Sequence, residues 1–191
     1  MRGGHRRRSW TMRPAVFLDR DGVLTAPIVR AGRPYAPTSL EEFIVLADAS
    51  SALYGLKQAG FVLIVVTNQP DVTRGLMSRE TVDEMHELLR QALPIDDIFV
   101  CYCLEEDANC SCYKPRPGML LEAARKWGIE LARSFIVGDR WRDVGAGHAA
   151  GCTTVFVDHG YASDRPPARP AAVVHSLQEA CHFILQQRLD R

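Results

Sequence analysis

The stretch VFLDRDGVL, from Val16 to Leu24, begins as an apolar run and ends in two aspartates separated by one arginine. The apolar part is typical of a short buried strand. A buried, unpaired carboxylate costs free energy unless a cation or a hydrogen-bond network compensates it, so Asp19 and Asp21 need an explanation. Either the strand ends there in a solvated turn, or the two carboxylates belong to a functional site.

Strand and helix patterns alternate along the chain. β-branched and aromatic runs predict strands at AVFLD (15–19), FVLIVVTNQ (61–69), DIFVCY (97–102), SFIVGD (134–139) and TTVFVD (153–158). Apolar residues at helical spacing predict helices at 46–60, 78–93, 117–128, 143–151 and 176–188. This alternation predicts an α/β fold, a doubly wound parallel sheet with helices on both faces.

Two segments rich in proline and polar residues, 25–37 and 161–170, are expected to be ordered surface loops. The segment between Gly22 and the first predicted helix is too short for a large cap domain. We therefore expect an open crevice.

The chain has 191 residues, 47% of them hydrophobic, with 23 basic and 23 acidic side chains. We expect one domain, residues 13–191, and a monomer. Balanced charge gives no reason to expect a nucleic-acid or membrane partner. Residues 1–12 are basic and lack the apolar segment of a secretory signal. We interpret them as a disordered tail, an expression remnant or the product of an upstream start codon, rather than a nucleic-acid-binding arm, and expect a cytoplasmic protein.

Polar residues follow three of the predicted strands. Asp19 and Asp21 follow the first strand, Thr67 and Asn68 end the second, and Asp139 ends the fourth. Ligands of doubly wound sheets bind beyond the carboxyl ends of the strands, so these side chains should meet in one crevice. Carboxylates from separate strands would repel one another without a cation, and hard oxygen ligands suit Mg²⁺.

A phosphate group would complete such a magnesium shell. Lys114, in the segment CYKPRPG, would supply a second positive charge. Thr67 and Asn68 would donate hydrogen bonds to phosphoryl oxygens. The residues by themselves thus point to a phosphate-binding crevice.

Four segments, FLDRDGVL, VVTNQ, KPRPGM and VGDRWRDVGAG, resemble the four ordered motifs of the haloacid-dehalogenase-type (HAD) phosphohydrolases, which have a Rossmann-like core. The resemblance covers nearly everything from 15 to 161. It implies that Asp19 attacks phosphorus and becomes an aspartyl phosphate, and that Asp21 protonates the leaving alkoxide and later activates water. Lys114 would neutralise developing charge beside Thr67, and Asp19, Asp21 and Asp139 would hold Mg²⁺. Asp143 is a lesser metal candidate that would otherwise cap the following helix or face solvent.

The segment CYCLEEDANCSCYKPRPG contains two C-x-C pairs, Cys101 with Cys103 and Cys110 with Cys112. In a reducing compartment clustered cysteines favour metal binding, and four thiolates suit a closed tetrahedral structural zinc site. The alternatives are four unligated cysteines or two disulfides. Cys152 and Cys181 are interpreted as ordinary buried residues.

Small HAD enzymes without a cap domain, the D-glycero-D-manno-heptose 1,7-bisphosphate 7-phosphatases and the histidinol-phosphate phosphatases, are similar in plan, including a zinc loop ahead of the lysine. One zinc ligand in those relatives is typically histidine, where this chain has Cys103. They usually have an arginine immediately before the motif lysine, where this chain has Tyr113. Arg74 or Arg116 would then hold a distal phosphate, unless both are solvated surface arginines.

The sequence therefore predicts an Mg²⁺-dependent phosphatase that removes the 7-phosphate of D-glycero-D-manno-heptose 1,7-bisphosphate. A histidinol-phosphate phosphatase or another small-metabolite phosphatase is the alternative, and an enzyme acting on nucleic-acid ends is disfavoured by the neutral charge. A catalytically silent protein that binds a phosphorylated ligand remains a third hypothesis. His86 and His148 are expected to be packed or exposed, and Trp141 either lines the crevice or packs on the sheet.

Overall fold

The computed structural model describes residues 12–162, 165 and 167–189 of the protein. The strands are β1 Ala15–Leu18, β2 Ile28–Arg30, β3 Arg33–Tyr35, β4 Val62–Asn68, β5 Asp97–Cys101, β6 Phe135–Gly138, β7 Thr153–Val157 and β8 Ala172–Val174. The helices are α1 Ala49–Gln58, α2 Pro70–Thr73, α3 Arg79–Ala92, α4 Gly118–Trp127, α5 Trp141–Ala150 and α6 Leu177–Leu189, with a 3₁₀ turn at Leu131–Arg133. The predicted basic tail, except for Met12, lies outside the described residues, and so do positions 163, 164 and 166 of the second proline-rich loop.

Six strands form one parallel sheet in the order β5-β4-β1-β6-β7-β8. β1 lies in the interior of the sheet, hydrogen-bonded to β4 on one side and to β6 on the other. All four of its residues are buried, because helices cover both faces of the sheet. A strand buried on both faces needs apolar residues throughout, which is why AVFL does not alternate with polar residues. The predicted doubly wound α/β fold is confirmed.

Successive side chains of β1 enter two different cores, because side chains alternate across a strand. Val16 and Leu18 belong to a core on the α1, α3 and α6 side, and Ala15 and Phe17 belong to a core on the α4 and α5 side. The first core contains Leu53, Leu56, Met85, Leu89 and Ile184, and the second contains Met119, Leu120, Ala123 and Ala146. Each fully buried leucine contributes about 1.5–3 kcal/mol through removal of apolar surface from water. None of the described helices is both long and apolar enough to cross a bilayer.

The segment 25–37 differs from the loop that its composition predicted, because it contains an antiparallel hairpin of β2 and β3. The two turn residues, Ala31 and Gly32, both have positive φ, 50° and 73°, as a two-residue hairpin turn of type I′ requires. Alanine rarely takes this conformation, so the pair Ala-Gly is a weaker hairpin signal than Asn-Gly. The hairpin is small, and the described residues contain no large cap over the site, in agreement with the predicted fold.

Candidate active site

Most of the residues predicted for catalysis, phosphate binding and magnesium lie around one crevice of about 440 Å³ at the carboxyl ends of β1, β4 and β6. Asp19 and Asp21 follow β1, Thr67 and Asn68 end β4, and Asp139 follows β6. Parallel strands end at the same edge of the sheet, so residues distant in sequence come together there. Lys114 reaches the crevice from the loop before α4.

Lys114 is a buried cation on the floor of the crevice. Its Nζ donates to Asp19 Oδ1 at 2.8 Å, to Asp143 Oδ1 at 2.5 Å and to the carbonyl oxygen of Val66 at 2.7 Å. Burial alone would lower the pKa of Lys114, but the carboxylates of Asp143 and Asp19 outweigh it and raise the pKa above its ordinary value. The lysine is therefore fixed in place and charged.

Three buried carboxylates, from Asp19, Asp139 and Asp143, offer oxygen atoms that all lie within 4.8 Å of one another. Burial, and then repulsion from Asp143, raises the pKa of Asp19 to about 7 despite the nearby Lys114. Burial and repulsion from Asp19 and Asp143 likewise raise the pKa of Asp139. One lysine does not compensate three acids, so the group is electrostatically short of a cation.

The donor set fits a divalent cation. Oδ1 of Asp139 is buried and has no hydrogen-bond partner among the described residues, as expected of an oxygen reserved for a metal. Gly22, with φ of 84°, lets the backbone approach, because a Cβ there would clash with the Asp139 carboxylate. Hard oxygen donors of this kind suit Mg²⁺.

Asp21, which the sequence predicts as a metal ligand, is held by neighbouring side chains. Its carboxylate accepts hydrogen bonds from Arg20 Nε at 2.9 Å, from Arg20 Nη2 at 2.8 Å and from Gln69 Nε2 at 2.9 Å. It is not part of the three-carboxylate group, which contains Asp143 in its place. The physical reason is that fully buried Arg20 needs a counter-charge and takes it from the adjacent carboxylate. The metal-binding, acid and base roles of Asp21 all stay predictions.

Arg20 and Gln69 are site residues that the sequence patterns did not predict. The Arg20 guanidinium lies 5.3 Å from the centre of the Phe43 ring, and its Nη1 is 3.4 Å from His86 Nε2. Gln69 Nε2 also donates to Thr67 Oγ1 at 2.8 Å, so this amide connects Thr67 with Asp21. An arginine between two aspartates in a buried run was the available signal for the first.

His86 is packed, as expected, on the buried side of α3. Burial, and then the positive charges of Arg20 and Arg90, lowers the pKa of His86 to about 3 despite the opposing effect of Asp21. The imidazole is therefore neutral under Arg20 and plays no direct part in the crevice.

Asn68 lines the crevice, but both ends of its amide contact the backbone of Lys114. Its Oδ1 accepts from the Lys114 N–H at 3.1 Å, and its Nδ2 donates to the Lys114 carbonyl oxygen at 3.2 Å. The structure thus gives Asn68 a contact that positions the lysine. Its predicted hydrogen bond to a phosphate stays a prediction.

The two arginines predicted to hold a distal phosphate lie in different places in the structure. Arg74 lines the crevice, 45% of its side chain is exposed, and its Nη1 donates to Asp71 Oδ1 at 3.0 Å. Arg116 does not line the crevice. Its guanidinium donates to the carbonyl oxygens of Glu105, Asp107 and Cys110, at 3.3, 2.7 and 2.6 Å. The donors of Arg116 are thus engaged by carbonyl oxygens of the cysteine loop, away from the crevice lining, and its predicted role in substrate binding stays a prediction.

The sulfur atoms of the cysteine loop, Cys101, Cys103, Cys110 and Cys112, all lie within 4.8 Å of one another. The structure joins Cys101 to Cys112 as a disulfide and leaves Cys103 and Cys110 as thiols. Other separations are 3.6 Å for Cys101–Cys110, 3.8 Å for Cys103–Cys112 and 3.4 Å for Cys110–Cys112. Zinc–sulfur bonds of ~2.3 Å place the corners of a tetrahedron about 3.8 Å apart, so the set also fits zinc. A zinc site would need Cys101 and Cys112 as thiolates, so zinc binding and this disulfide would exclude each other.

Tyr161 and His159 also reach the site, from the segment after β7. The hydroxyl of Tyr161 donates to Asp139 Oδ2 at 2.8 Å, and His159 Nε2 lies 2.7 Å from the carbonyl oxygen of Gly22. Neither residue belongs to a motif that sequence spacing alone identifies. Their contacts fix Asp139 and the turn that follows β1.

Comparison with known proteins places the chain in a family. Residues 111–180 match the family described as HAD-hydrolase-like. Over 150 residues the chain is 37% identical to the D-glycero-beta-D-manno-heptose-1,7-bisphosphate 7-phosphatase of Rhodopseudomonas palustris, and the match covers 73% of this chain and 80% of that protein. The chain belongs to the HAD-like phosphatases.

Two further matches cover more of this HAD-like phosphatase. The enzyme of the same name from Vibrio cholerae is 30% identical over 187 residues, which is 91% of this chain and 97% of the relative. The crystal structure of D,D-heptose 1,7-bisphosphate phosphatase from B. bronchiseptica, complexed with magnesium and phosphate, has a TM-score of 0.77 at 30% identity. It covers 91% of this chain and 99% of that chain. The predicted family and the phosphatase class are confirmed.

Proposed function

We propose that this HAD-like phosphatase uses Mg²⁺ to remove the 7-phosphate of D-glycero-D-manno-heptose 1,7-bisphosphate through an aspartyl phosphate on Asp19. The observation that carries the proposal is the pairing of Asp19 with Lys114 on the crevice floor, 2.8 Å between Oδ1 and Nζ, in a chain whose relatives have that activity in their names. The histidinol-phosphate alternative has no comparable support among these relatives.

In this proposal Asp19 attacks phosphorus as a carboxylate, forming the bond between its oxygen and phosphorus as the bond to the sugar oxygen breaks. Two displacements replace one direct hydrolysis, and each needs nearby positive charge to neutralise the phosphoryl oxygens. Lys114 supplies one positive charge at that point, held by Asp143 and the Val66 carbonyl. Bound Mg²⁺, held by Asp19, Asp139 and Asp143, would supply the other and lower the pKa of Asp19 below its metal-free value.

Asp21 is the proposed proton donor to the departing sugar oxygen. Water then attacks the phosphorus of the aspartyl phosphate, and the bond from phosphorus to the Asp19 oxygen breaks, which releases phosphate and restores the carboxylate. Asp21 recovers a proton from the attacking water, so one group serves both steps. Gln69 and Arg20 orient its carboxylate.

The cysteine loop would act on this reaction indirectly. We propose that Cys101, Cys103, Cys110 and Cys112 bind a structural zinc ion, which would fix the segment that ends two residues later at Lys114. Zinc with four thiolates has no open coordination position and would perform no chemistry itself. The loop would instead set the approach of the lysine.

The test is phosphate release, with Mg²⁺, across a panel of phosphorylated compounds. The panel contains both anomers of heptose 1,7-bisphosphate, histidinol phosphate, other sugar phosphates and a 3′-phosphorylated oligonucleotide. We expect a kcat/KM for one heptose bisphosphate anomer that exceeds every other value by about 100-fold or more, which corresponds to about 2.7 kcal/mol of discrimination. Weak and uniform activity across the panel would contradict the substrate, and turnover unaffected by Mg²⁺ removal would contradict the metal.

A further inference from the structure

One wall of the crevice contains an arginine, Arg142, in the first turn of α5, which the sequence patterns did not select. Its guanidinium carbon lies 5.8 Å from the centre of the Tyr113 ring and 5.1 Å from that of the Trp141 ring. Only 23% of its side chain is exposed. A guanidinium held by aromatic rings loses little further freedom when it binds an anion, so this group is preorganised.

The hydrogen bonding of Arg142 is incomplete. Its Nη2 donates to Glu105 Oε2 at 2.5 Å, but its buried Nε–H has no acceptor among the described residues. Buried donors nearly always have a hydrogen-bond acceptor, so a buried N–H without one indicates that a water or ligand accepts its hydrogen bond. Half of the Glu105 side chain is exposed, so solvent screens this ion pair and a doubly charged phosphate can compete with it.

Among the described residues, the cations that line the crevice are Lys114, Arg74, Arg140 and Arg142, and Lys114 and Arg140 act on the carboxylates of the reacting end. Lys114 donates to three partners on the floor beside the nucleophile. Tyr113, at the position before it, is uncharged, and Arg116 is bound to loop carbonyls. A second phosphate on the substrate would therefore need cations away from the reacting end, and Arg142 and Arg74 both line the crevice.

We propose that Arg142, seated against Tyr113 and Trp141, binds the non-reacting phosphate of a sugar bisphosphate with the help of Arg74. This inference rests on the proposed function, which assigns the reacting phosphate to Asp19. Tyr113 then supports the phosphate-binding arginine by contact with its guanidinium. Arg142 is a substrate-binding residue that determines the preference for two phosphates over one.

The test compares bisphosphates with matched monophosphates. The substrates are heptose 1,7-bisphosphate with heptose 7-phosphate, and fructose 1,6-bisphosphate with fructose 6-phosphate, all assayed with Mg²⁺. The variants are Arg142→Ala, Arg142→Lys and Arg74→Ala. The matched control is Arg133→Ala, which removes an exposed arginine that is paired with Glu130 and does not line the crevice.

We expect Arg142→Ala to lower the bisphosphate-to-monophosphate ratio of kcat/KM by about 50-fold, mainly through KM, with monophosphate turnover nearly unchanged. Arg142→Lys should retain part of the ratio because it keeps the charge and loses the planar fork. Arg74→Ala should lower the ratio by about 5-fold, and Arg133→Ala should not change it.

An unchanged ratio in both Arg142 variants would overturn the inference. So would an equal loss on monophosphates, because that would mean Arg142 only shapes the site. If wild type prefers fructose bisphosphate but not heptose bisphosphate, the proposed substrate fails, while a loss of that preference in Arg142→Ala still supports the phosphate site. Wild type without preference for either bisphosphate would overturn both proposals.

Discussion

The floor of the crevice and its cysteine-loop wall are built in different ways. Floor residues stand at the ends of β1, β4 and β6, so the hydrogen-bonded sheet fixes their positions. The wall, residues 102–117, contains no helix or strand and is held by its sulfur cluster and by Arg116. Lys114 lies within the wall segment of the sequence, but its side chain contacts the floor residues Asp19 and Asp143. A change in the floor should therefore stop the chemistry and leave the fold intact, whereas a change in the wall should loosen the structure and weaken the chemistry indirectly.

The largest effect is expected from Asp19→Asn. The amide is nearly the same size but is a far poorer nucleophile, so kcat should fall by roughly 10⁴-fold or more. The thermal midpoint should stay the same or rise, because the substitution removes one of three crowded buried acids. Phosphate release and thermal unfolding of the same preparation measure both.

Asp83→Asn, an exposed position on α3, is the matched control and should retain full activity. Turnover by Asp19→Asn at the wild-type rate would rule out an aspartyl phosphate on this residue. A large loss of stability would mean that the floor is not fixed by the sheet alone.

A change in the wall should lower stability more than it lowers catalysis, and Cys103→Ser tests this expectation. Loss of one ligand should abolish zinc binding and lower the free energy of unfolding by on the order of 3 kcal/mol. The kcat should fall by only about 10- to 100-fold, because Lys114 loses positioning and keeps its charge. Elemental analysis, denaturant unfolding and phosphate release give the three values.

Cys181→Ala, at a buried cysteine on α6 outside the loop, is the control and should keep the metal. Less than about half an equivalent of zinc in wild type purified without chelator would contradict the zinc proposal. The disulfide between Cys101 and Cys112 would then be the working state of the loop.

The difference between floor and wall also explains what the sequence could predict. The floor residues were found because each follows a strand whose apolar run is visible in one dimension, as in VFLDRD and VVTNQ. The wall was harder, since nothing in the spacing of Arg116 distinguishes a side chain bound to carbonyls from one that faces a ligand. Arg142 and Tyr161 were missed because their roles depend on rings and carboxylates that only tertiary packing brings near them. The hairpin was missed because its turn is Ala-Gly.

A pH effect on stability should come from His86, which packs against Arg20 beneath the floor of the crevice. The charges of Arg90 and Asp21 also act on its imidazole. The pKa of His86 is about 3 in the folded protein, against 6.5 for an ordinary histidine. Between these two pH values the unfolded chain therefore binds a proton at His86 that the folded chain does not bind. Stability should therefore fall as pH drops from 6.5 toward 3, by up to about 2 kcal/mol at pH 5. His86→Gln should flatten this part of the profile, measured by urea unfolding between about pH 5 and 8. Parallel profiles for variant and wild type would contradict the assignment.

The smallest effect is expected from Arg116→Ala, which separates the two roles considered for this arginine. Loss of its bonds to the carbonyls of Asp107 and Cys110 should lower the free energy of unfolding by about 1 kcal/mol, because water replaces part of the interaction. The bisphosphate-to-monophosphate ratio of kcat/KM should not change, since Arg116 lies outside the crevice lining. A fall in that ratio at constant stability would mean that Arg116 binds the substrate, and that its hydrogen bonds to the loop carbonyls do not persist in solution. A fall in stability with an unchanged ratio would show that Arg116 stabilises the cysteine-loop wall and does not bind the substrate.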